Sequence, residues 1–271
     1  MILYDICWYF VLYSFIGWVI EVIFHAVTLG KIMNRGFLNG PVCPVYGFGM
    51  IAVLSVYEFV GIDNSIVIFI EGIILTTTIE LLAGFILDKA FHARWWNYSN
   101  VPFNLHGYIC LKFSIIWGAA VVFVLKIFNP TLYALTIYLV SPKYGWPLLL
   151  LLLLVFIVDT VVTALTLIGL NKQLKELDNI SKKLHVLSDK LTEDISLKSI
   201  NAAQKVQNTQ IQYSLGKSEL QDKYDEIRNR ILAHRHYGSG RLINAFPNVI
   251  HNEYHHLLED LKNRIQQSKA N

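Results

Sequence analysis

Charge is what this sequence has little of. Of 271 residues only 16% are Asp, Glu, Lys or Arg, against 54% hydrophobic, a balance that excludes an ordinary soluble domain of this length. Cysteine is scarce as well. Cys7, Cys43 and Cys110 are odd in number and lack CxxC spacing, so neither a disulfide framework nor a zinc finger is implied. The net charge of +3 is small and dispersed, which argues against nucleic acid as a partner. No basic stretch precedes the first apolar run, and Trp18 and Glu21 interrupt it, so that run reads as a retained span and not as a cleaved signal peptide. A phosphate-binding loop is also missing. Gly216-Lys217-Ser218 matches the end of such a loop, but Ile211 stands where its first glycine belongs, so the chain is not expected to hydrolyse ATP by itself. His251, Glu253, His255 and His256 lack the HExxH order of a metalloprotease and read as one exposed helix face.

The charges present are unevenly placed. The first 170 residues hold 7 Lys or Arg and 8 Asp or Glu, and the last 101 hold 16 and 12. Two regions follow: a bilayer part, 1–170, and a wet helical tail, 171–271. Five apolar segments, near 6–28, 45–60, 65–88, 108–128 and 144–168, are read as spans, since crossing takes roughly 20 helical residues. The stretch 131–140 is short and bracketed by Pro130 and Pro142, which suits a re-entrant or interfacial helix. The fold class expected is therefore all-α, a polytopic membrane helix bundle of about five spans with a C-terminal helical or coiled-coil extension. Lys31 and Arg35 follow the first span, Lys89 and Arg94 the third, and Lys172, Lys175, Lys182 and Lys183 the fifth. By the positive-inside rule the N-terminus is outside and the tail cytoplasmic in a multi-pass plasma-membrane protein.

Ionisable residues within these spans are the main functional signal, because a charge at the bilayer centre costs roughly 2.5–3.5 kcal/mol on insertion scales. Glu21 and His25 share one face of the first span at four-residue spacing, with Trp18 beside them. Glu80, Gly84 and Asp88 repeat that spacing in the third, where Gly84 leaves room for a helix or ligand. Lys112 opens the fourth span and Asp159 lies in the fifth. Two polar loops close over the same face. The first, 34–49, is rich in Gly and Pro and suits an anion cradle, with Asn34 and with Arg35 as bidentate partner. The second, 94–107, carries Arg94, Asn104 and His106 as donors, while Trp95, Trp96 and Tyr98 suit the headgroup zone. The candidate pocket is thus Glu21, His25, Asn34, Arg35, Glu80, Asp88, Arg94, Asn104, His106, Lys112 and Asp159. Blander readings stand beside it: Arg35 or Arg94 neutralising Glu21 or Glu80 as ion pairs, and glycines that serve packing alone. Glu21 and His25, one turn apart, are the place for a divalent metal, but such a pair is common by chance, and no cofactor is predicted.

In the tail, Leu170, Leu177, Leu184 and Leu191 recur every seven residues, which fits an intramolecular helical hairpin, a homo-oligomer through a coiled coil or the docking of a partner. Residues 233–244 form a basic, glycine-bearing break.

Gly17-Trp18 with Glu21, the runs 34–41 and 44–47, Glu80, Arg94-Trp95-Trp96-Asn97-Tyr98-Ser99, 104–107, Trp117-Gly118 and the tail run 241–247 together resemble a bacterial membrane family of CmpB type, labelled ABC-transporter permease. The resemblance implies a transporter's membrane subunit served by a separate ATPase. It implies no substrate and no catalytic residues. A permease-like pocket open to the cytoplasm, binding a cation, a proton or a cationic group, is the leading expectation. One alternative is a membrane-embedded enzyme acting on a lipid or polyprenyl phosphate, with Arg35, Arg94 and Lys112 on phosphate and Glu21, Glu80 or Asp88 as base or metal ligand. The other is a scaffold or sensor working through its tail.

Overall fold

A computed structural model describes residues 3–30, 32–132, 142–197, 203–233 and 237–270. Among the described residues the fold is all-helical apart from two-residue strands in the loops. The chain divides into two compact units, one of residues up to Leu165 together with Ala245–Ile250, the other of Thr166–Asn244 and His251–Asn271.

In the first unit, α1 (Leu3–Leu29) and α3 (Ser65–Phe91) each have 27 residues, about 40 Å of helix. Between them α2 (Pro44–Val60) has 17, about 25 Å. Of the five spans expected, four helices have the length and apolarity to cross a bilayer among the described residues, and α2 is a shorter apolar helix. Its ends are sharply set: Pro44 occupies the first turn, where its missing N–H is no loss, and Gly61 terminates it at φ +67°. Asn64 then caps α3, its side chain accepting from the amides of Ile66 and Val67. The next span begins at Leu111, not near 108, because residues up to Cys110 belong to a hairpin of β1 (Asn104–Leu105) and β2 (Ile109–Cys110). That span is α4 (Leu111–Phe123), prolonged by a π-helical turn at Val124–Phe128 as far as Leu132. The 131–140 segment lies, from 133 onward, outside the described residues. The last span, α5 (Pro142–Leu197), does not stop near 168 but continues into the tail as one element of 56 residues.

Small residues let the membrane helices approach. A Cβ on Gly72 would meet Val121 at 2.8 Å, and one on Gly118 would meet the Phe69 carbonyl at 3.0 Å, so α3 and α4 touch backbone to backbone. Gly17 and Gly47 do the same for α1 and α2, against Tyr46 and against Ser14 and Phe10. Tyr9, Tyr13, Val53, Leu54, Ile68, Val121 and Leu125 fill the core between these four helices.

The second unit has the pattern of a soluble domain. Leu170, Leu174, Leu177 and Ile180 of α5, Ile227 and Ile231 of α6 (Ala203–Leu232), Leu242 and Ile243 of α7 (Gly238–Ala245) and Leu257, Leu258, Leu261 and Ile265 of α8 (His255–Ala270) are buried. The heptad leucines Leu170 and Leu177 are thus covered by the chain itself. Lys223 of α6 pairs with Glu176 of α5 at 3.1 Å, which places the two helices side by side. Gly216-Lys217-Ser218 lies inside α6, with no loop to hold phosphate. The expected exposed histidine face is corrected at His251, which is buried and precedes α8. Its Nδ1 accepts from the Glu253 and Tyr254 amides, which leaves the proton on Nε2, facing Asn171 Oδ1 at 3.3 Å. His251 is a cap for the helix start, while His255 and His256 are exposed.

Candidate functional site

Both polar loops cover the same end of the first unit, the Phe37 ring meeting Trp95 edge-on at 5.2 Å. The first loop is organised by Asn34. Its Oδ1 accepts from Trp18 Nε1 at 2.7 Å and the Gly36 amide at 2.8 Å, and its Nδ2 donates to the Asn39 carbonyl at 2.7 Å. The loop so shaped presents amides to an anion, and that anion is the protein's own Asp159. Gly40 N donates to one carboxylate oxygen at 2.7 Å, and Asn39 N and Nδ2 donate to the other at 3.1 and 2.9 Å. Thr163 adds its hydroxyl at 3.3 Å. Asp159 therefore ties α5 to the loop.

Arg35 does not join that cradle. Its Nη1 donates to the Ala245 carbonyl, and its guanidinium lies 4.9 Å over the Phe246 ring, which packs in turn on Trp95 at 4.9 Å. Burial lowers the Arg35 pKa below its usual range, and the Glu21 carboxylate opposes this. Cys43, at the start of α2, is pushed up to about 12 by burial, with Glu21 adding to the rise and Arg35 opposing it. It is a thiol at neutral pH and no nucleophile.

Deeper in the bundle Glu21 of α1 and Glu80 of α3 lie within electrostatic reach of one another. Each accepts from a tyrosine: Tyr46 Oη donates to Glu21 at 2.7 Å and Tyr98 Oη to Glu80 at 3.1 Å. Burial and the Glu80 charge hold the Tyr98 phenol far above its usual range, so it stays a donor at every physiological pH. Trp117 of α4 faces the same group, edge-on to Tyr46 at 5.7 Å. Its indole N–H misses ordinary hydrogen-bond geometry, and Glu80 Oε2 is buried without a partner among the described residues. A half-satisfied carboxylate inside a membrane bundle is expensive and marks a place where a positive group is welcome.

At the end of α3, Asp88 is 5% exposed. Arg94 Nε donates to it at 3.1 Å, Tyr108 donates to the same oxygen, and Arg94 also reaches the His106 carbonyl at 3.1 Å. The room expected at Gly84 is filled by Trp96 and Tyr108, whose rings lie 3.1 Å from where its Cβ would be. Asn104 shapes the hairpin, donating to the Val101 carbonyl at 2.8 Å and accepting from the Gly107 amide at 3.0 Å. His25 is buried on α1, whereas His106 and Lys112 are exposed, Lys112 lying 5.8 Å over the Phe113 ring. The aromatic belt expected at Trp95, Trp96 and Tyr98 is corrected. Trp95 is buried, Trp96 Nε1 donates to the Tyr108 carbonyl at 2.7 Å, and Tyr98 serves Glu80. Among the described residues no three His, Cys, Asp or Glu side chains converge as metal ligands.

The candidate residues thus sort into the Glu21–Glu80 pair, the Asp159 cradle, the Asp88–Arg94 ion pair and the struts Asn34 and Asn104. Tyr46, Tyr98, Trp117 and Phe246, which complete these groups, escape a charge-based reading because none carries charge. A carboxylate in a bilayer needs donors, but no local spacing says which residues supply them, since Tyr46 and Tyr98 stand 25 and 18 residues from their glutamates.

Residues 8–164 match the family model described as "Putative ABC-transporter type IV". The chain belongs to this family. No curated protein and no solved structure matches it. The matched stretch covers α1 to α4 and the membrane part of α5, so it contains both polar loops, both tyrosine-bound glutamates and Asp159. The family is one of ABC-transporter-related membrane proteins, and the four long apolar helices among the described residues fit a multi-pass membrane protein.

Proposed function

We propose that the chain is a permease-like membrane subunit whose polar pocket, at the cytoplasmic end of the bundle, receives a cation, a proton or a cationic group between Glu21 and Glu80. The observation that carries this reading is the buried Oε2 of Glu80, without a hydrogen-bond partner among the described residues, beside a second carboxylate and the rings of Tyr46 and Trp117. Two acids and two rings attract positive charge through Coulomb and quadrupole terms together. Tyrosine donors keep the carboxylates oriented without neutralising them. The basic residues Arg35, Lys89, Arg94 and Lys112 at this end support a cytoplasmic placement, with the N-terminus outside. Energy then comes from a separate ATPase, since this chain lacks a phosphate loop.

The lipid-phosphate enzyme is the weaker alternative. Two of its three anion ligands are spent on the protein itself, Arg94 on Asp88 and Arg35 on Ala245 and Phe246.

The test is thermal unfolding of the purified protein against a panel of inorganic cations and organic amines. At least one member should raise the Tm of the native protein progressively, with the logarithm of its concentration once the site is saturated. Glu80→Gln should abolish that rise, and Glu58→Gln, at an exposed position, should keep it. A rise that survives in Glu80→Gln contradicts the proposal.

A further inference from the structure

Between α3 and α4 the chain forms a compact connection that exposes two apolar side chains, Phe103 beside the start of α4 and Leu105 in the hairpin strand, among basic residues. Phe103 is 82% exposed and Leu105 46%. This is no slack loop. Asn104 bridges the Ser99 and Val101 carbonyls to the Gly107 amide, Leu111 N donates to the Phe103 carbonyl at 3.1 Å, and β1 pairs with β2 in register. Phe103 itself has φ +55°, a conformation that is uncommon for a bulky residue and that the surrounding bonds impose. The backbone holds a phenyl ring outward at a cost, although turning it inward would hide apolar surface.

Two features state what the ring meets. The connection joins the ends of two helices long and apolar enough to cross a membrane, and the Phe103 carbonyl accepts from Leu111 N at the start of the second, so the ring lies at the level of the bilayer surface. No Asp or Glu occurs from Lys89 through Val158, and Asp88 just before is buried against Arg94, whereas Lys89 and His92 at the end of α3, His106 in the hairpin turn and Lys112 at the start of α4 are exposed. An apolar wedge among exposed basic side chains is complementary to an acidic phospholipid.

We propose that this connection is an anionic-lipid anchor: Phe103 and Leu105 enter the acyl boundary of the leaflet while Lys89 and Lys112 hold headgroup phosphates. The anchor fixes the ends of α3 and α4, and through the Trp96–Tyr108 and Arg94–Asp88 bonds it steadies the helix that carries Glu80.

The experiment places a polarity-sensitive thiol dye at Phe103→Cys in the full chain, with Cys7→Ser as background, since Cys43 and Cys110 are buried. The protein is reconstituted into vesicles of phosphatidylcholine alone or mixed with phosphatidylglycerol. Dye emission should shift to the blue and be quenched by lipid-borne nitroxide when phosphatidylglycerol is present, and it should be shielded from aqueous iodide. Lys89→Gln with Lys112→Gln should lower the preference for phosphatidylglycerol over phosphatidylcholine, read by lipid retention at low salt, roughly tenfold or more. A dye in water in both vesicle types overturns the proposal. So does an equal lipid preference with and without the two lysines. Shielding that develops only on addition of soluble protein assigns the Phe103 position to a protein partner and likewise overturns it.

Discussion

The two units of this chain solve the same packing problem with opposite materials. In the first, exposed positions of α3 and α5 are Ile, Leu, Val and Phe, and the interior holds glycines, tyrosines and carboxylates. In the second, leucine and isoleucine are inside, and ion pairs such as Arg230–Glu226 and Arg264–Asp260 are on the surface. Lipid gives helices no hydrophobic reason to associate, so close backbone approach and internal hydrogen bonds hold the first unit together. Water gives that reason freely, so the second unit uses a leucine core and has charged residues to spare. A polar group therefore means different things in the two halves: structural glue or a binding site in one, solvation in the other.

The sharpest way to break the comparison is to remove one arginine from each unit. Arg94 pairs with an Asp88 that is buried, whereas Arg230 pairs with a Glu226 that is exposed. Arg94→Met leaves a buried carboxylate short of its counter-charge and should cost about 3–5 kcal/mol. Thermal or denaturant unfolding in mild detergent measures it. Asp88→Leu in the same chain should restore part of the loss, because the orphaned charge is then gone. An Arg94→Met protein as stable as the parent would show that the pair is solvated and that this end of α3 lies in water.

Next in size is one substitution, Gly→Ala, made in both halves with opposite expected signs. At Gly118 the new methyl meets the Phe69 carbonyl at 3.0 Å and Ile73 more closely still, so α3 and α4 must part, at about 1–3 kcal/mol. At Gly216 of α6 the nearest atom is Leu187 Cδ2 at 3.9 Å, an ordinary contact. There the methyl removes backbone freedom from the unfolded chain, and stability should rise by about 0.8–1.0 kcal/mol. Unfolding curves of the two variants, run side by side, decide whether glycine is a contact surface in one unit and merely tolerated in the other.

Much of this contrast is legible in the sequence, because hydrophobic length and the clustering of Lys and Glu follow directly from which solvent each segment meets. The spans at α1, α3 and α5 are long apolar runs and announce themselves. α2 is harder, since 17 residues set by Pro44 and Gly61 fall between a span and a core helix. The first loop reads as an anion cradle and is one, but its anion, Asp159, lies 120 residues further on, beyond any local pattern. Arg35 looks like a ligand for phosphate, yet Phe246, from a segment of the tail region, takes its face. Tyr46 and Tyr98 reach Glu21 and Glu80 across 25 and 18 residues, and nothing about a tyrosine in an aromatic-rich chain points to that role. Charge is visible in one dimension. The donors that satisfy it become visible only when the helices are placed beside each other.

The smallest expected effect completes the comparison. Arg230 and Glu226 stand one turn apart on α6, 2.7 Å from each other, with both side chains more than half exposed at 61% and 67%. Water already solvates each charge, and fixing two long side chains offsets much of the Coulomb gain, so Arg230→Met should change stability by only about 0.3–0.5 kcal/mol. Salt should erase even that, because the pair is open to screening. The same arginine-to-methionine change is thus expected to differ roughly tenfold in free energy between Arg94 and Arg230. Unfolding of the Arg230→Met variant at low and high ionic strength checks the lower limit. A large, salt-insensitive loss there would mean that this face of α6 is covered in the native protein, and the tail would then be an interface and not a solvated helical domain.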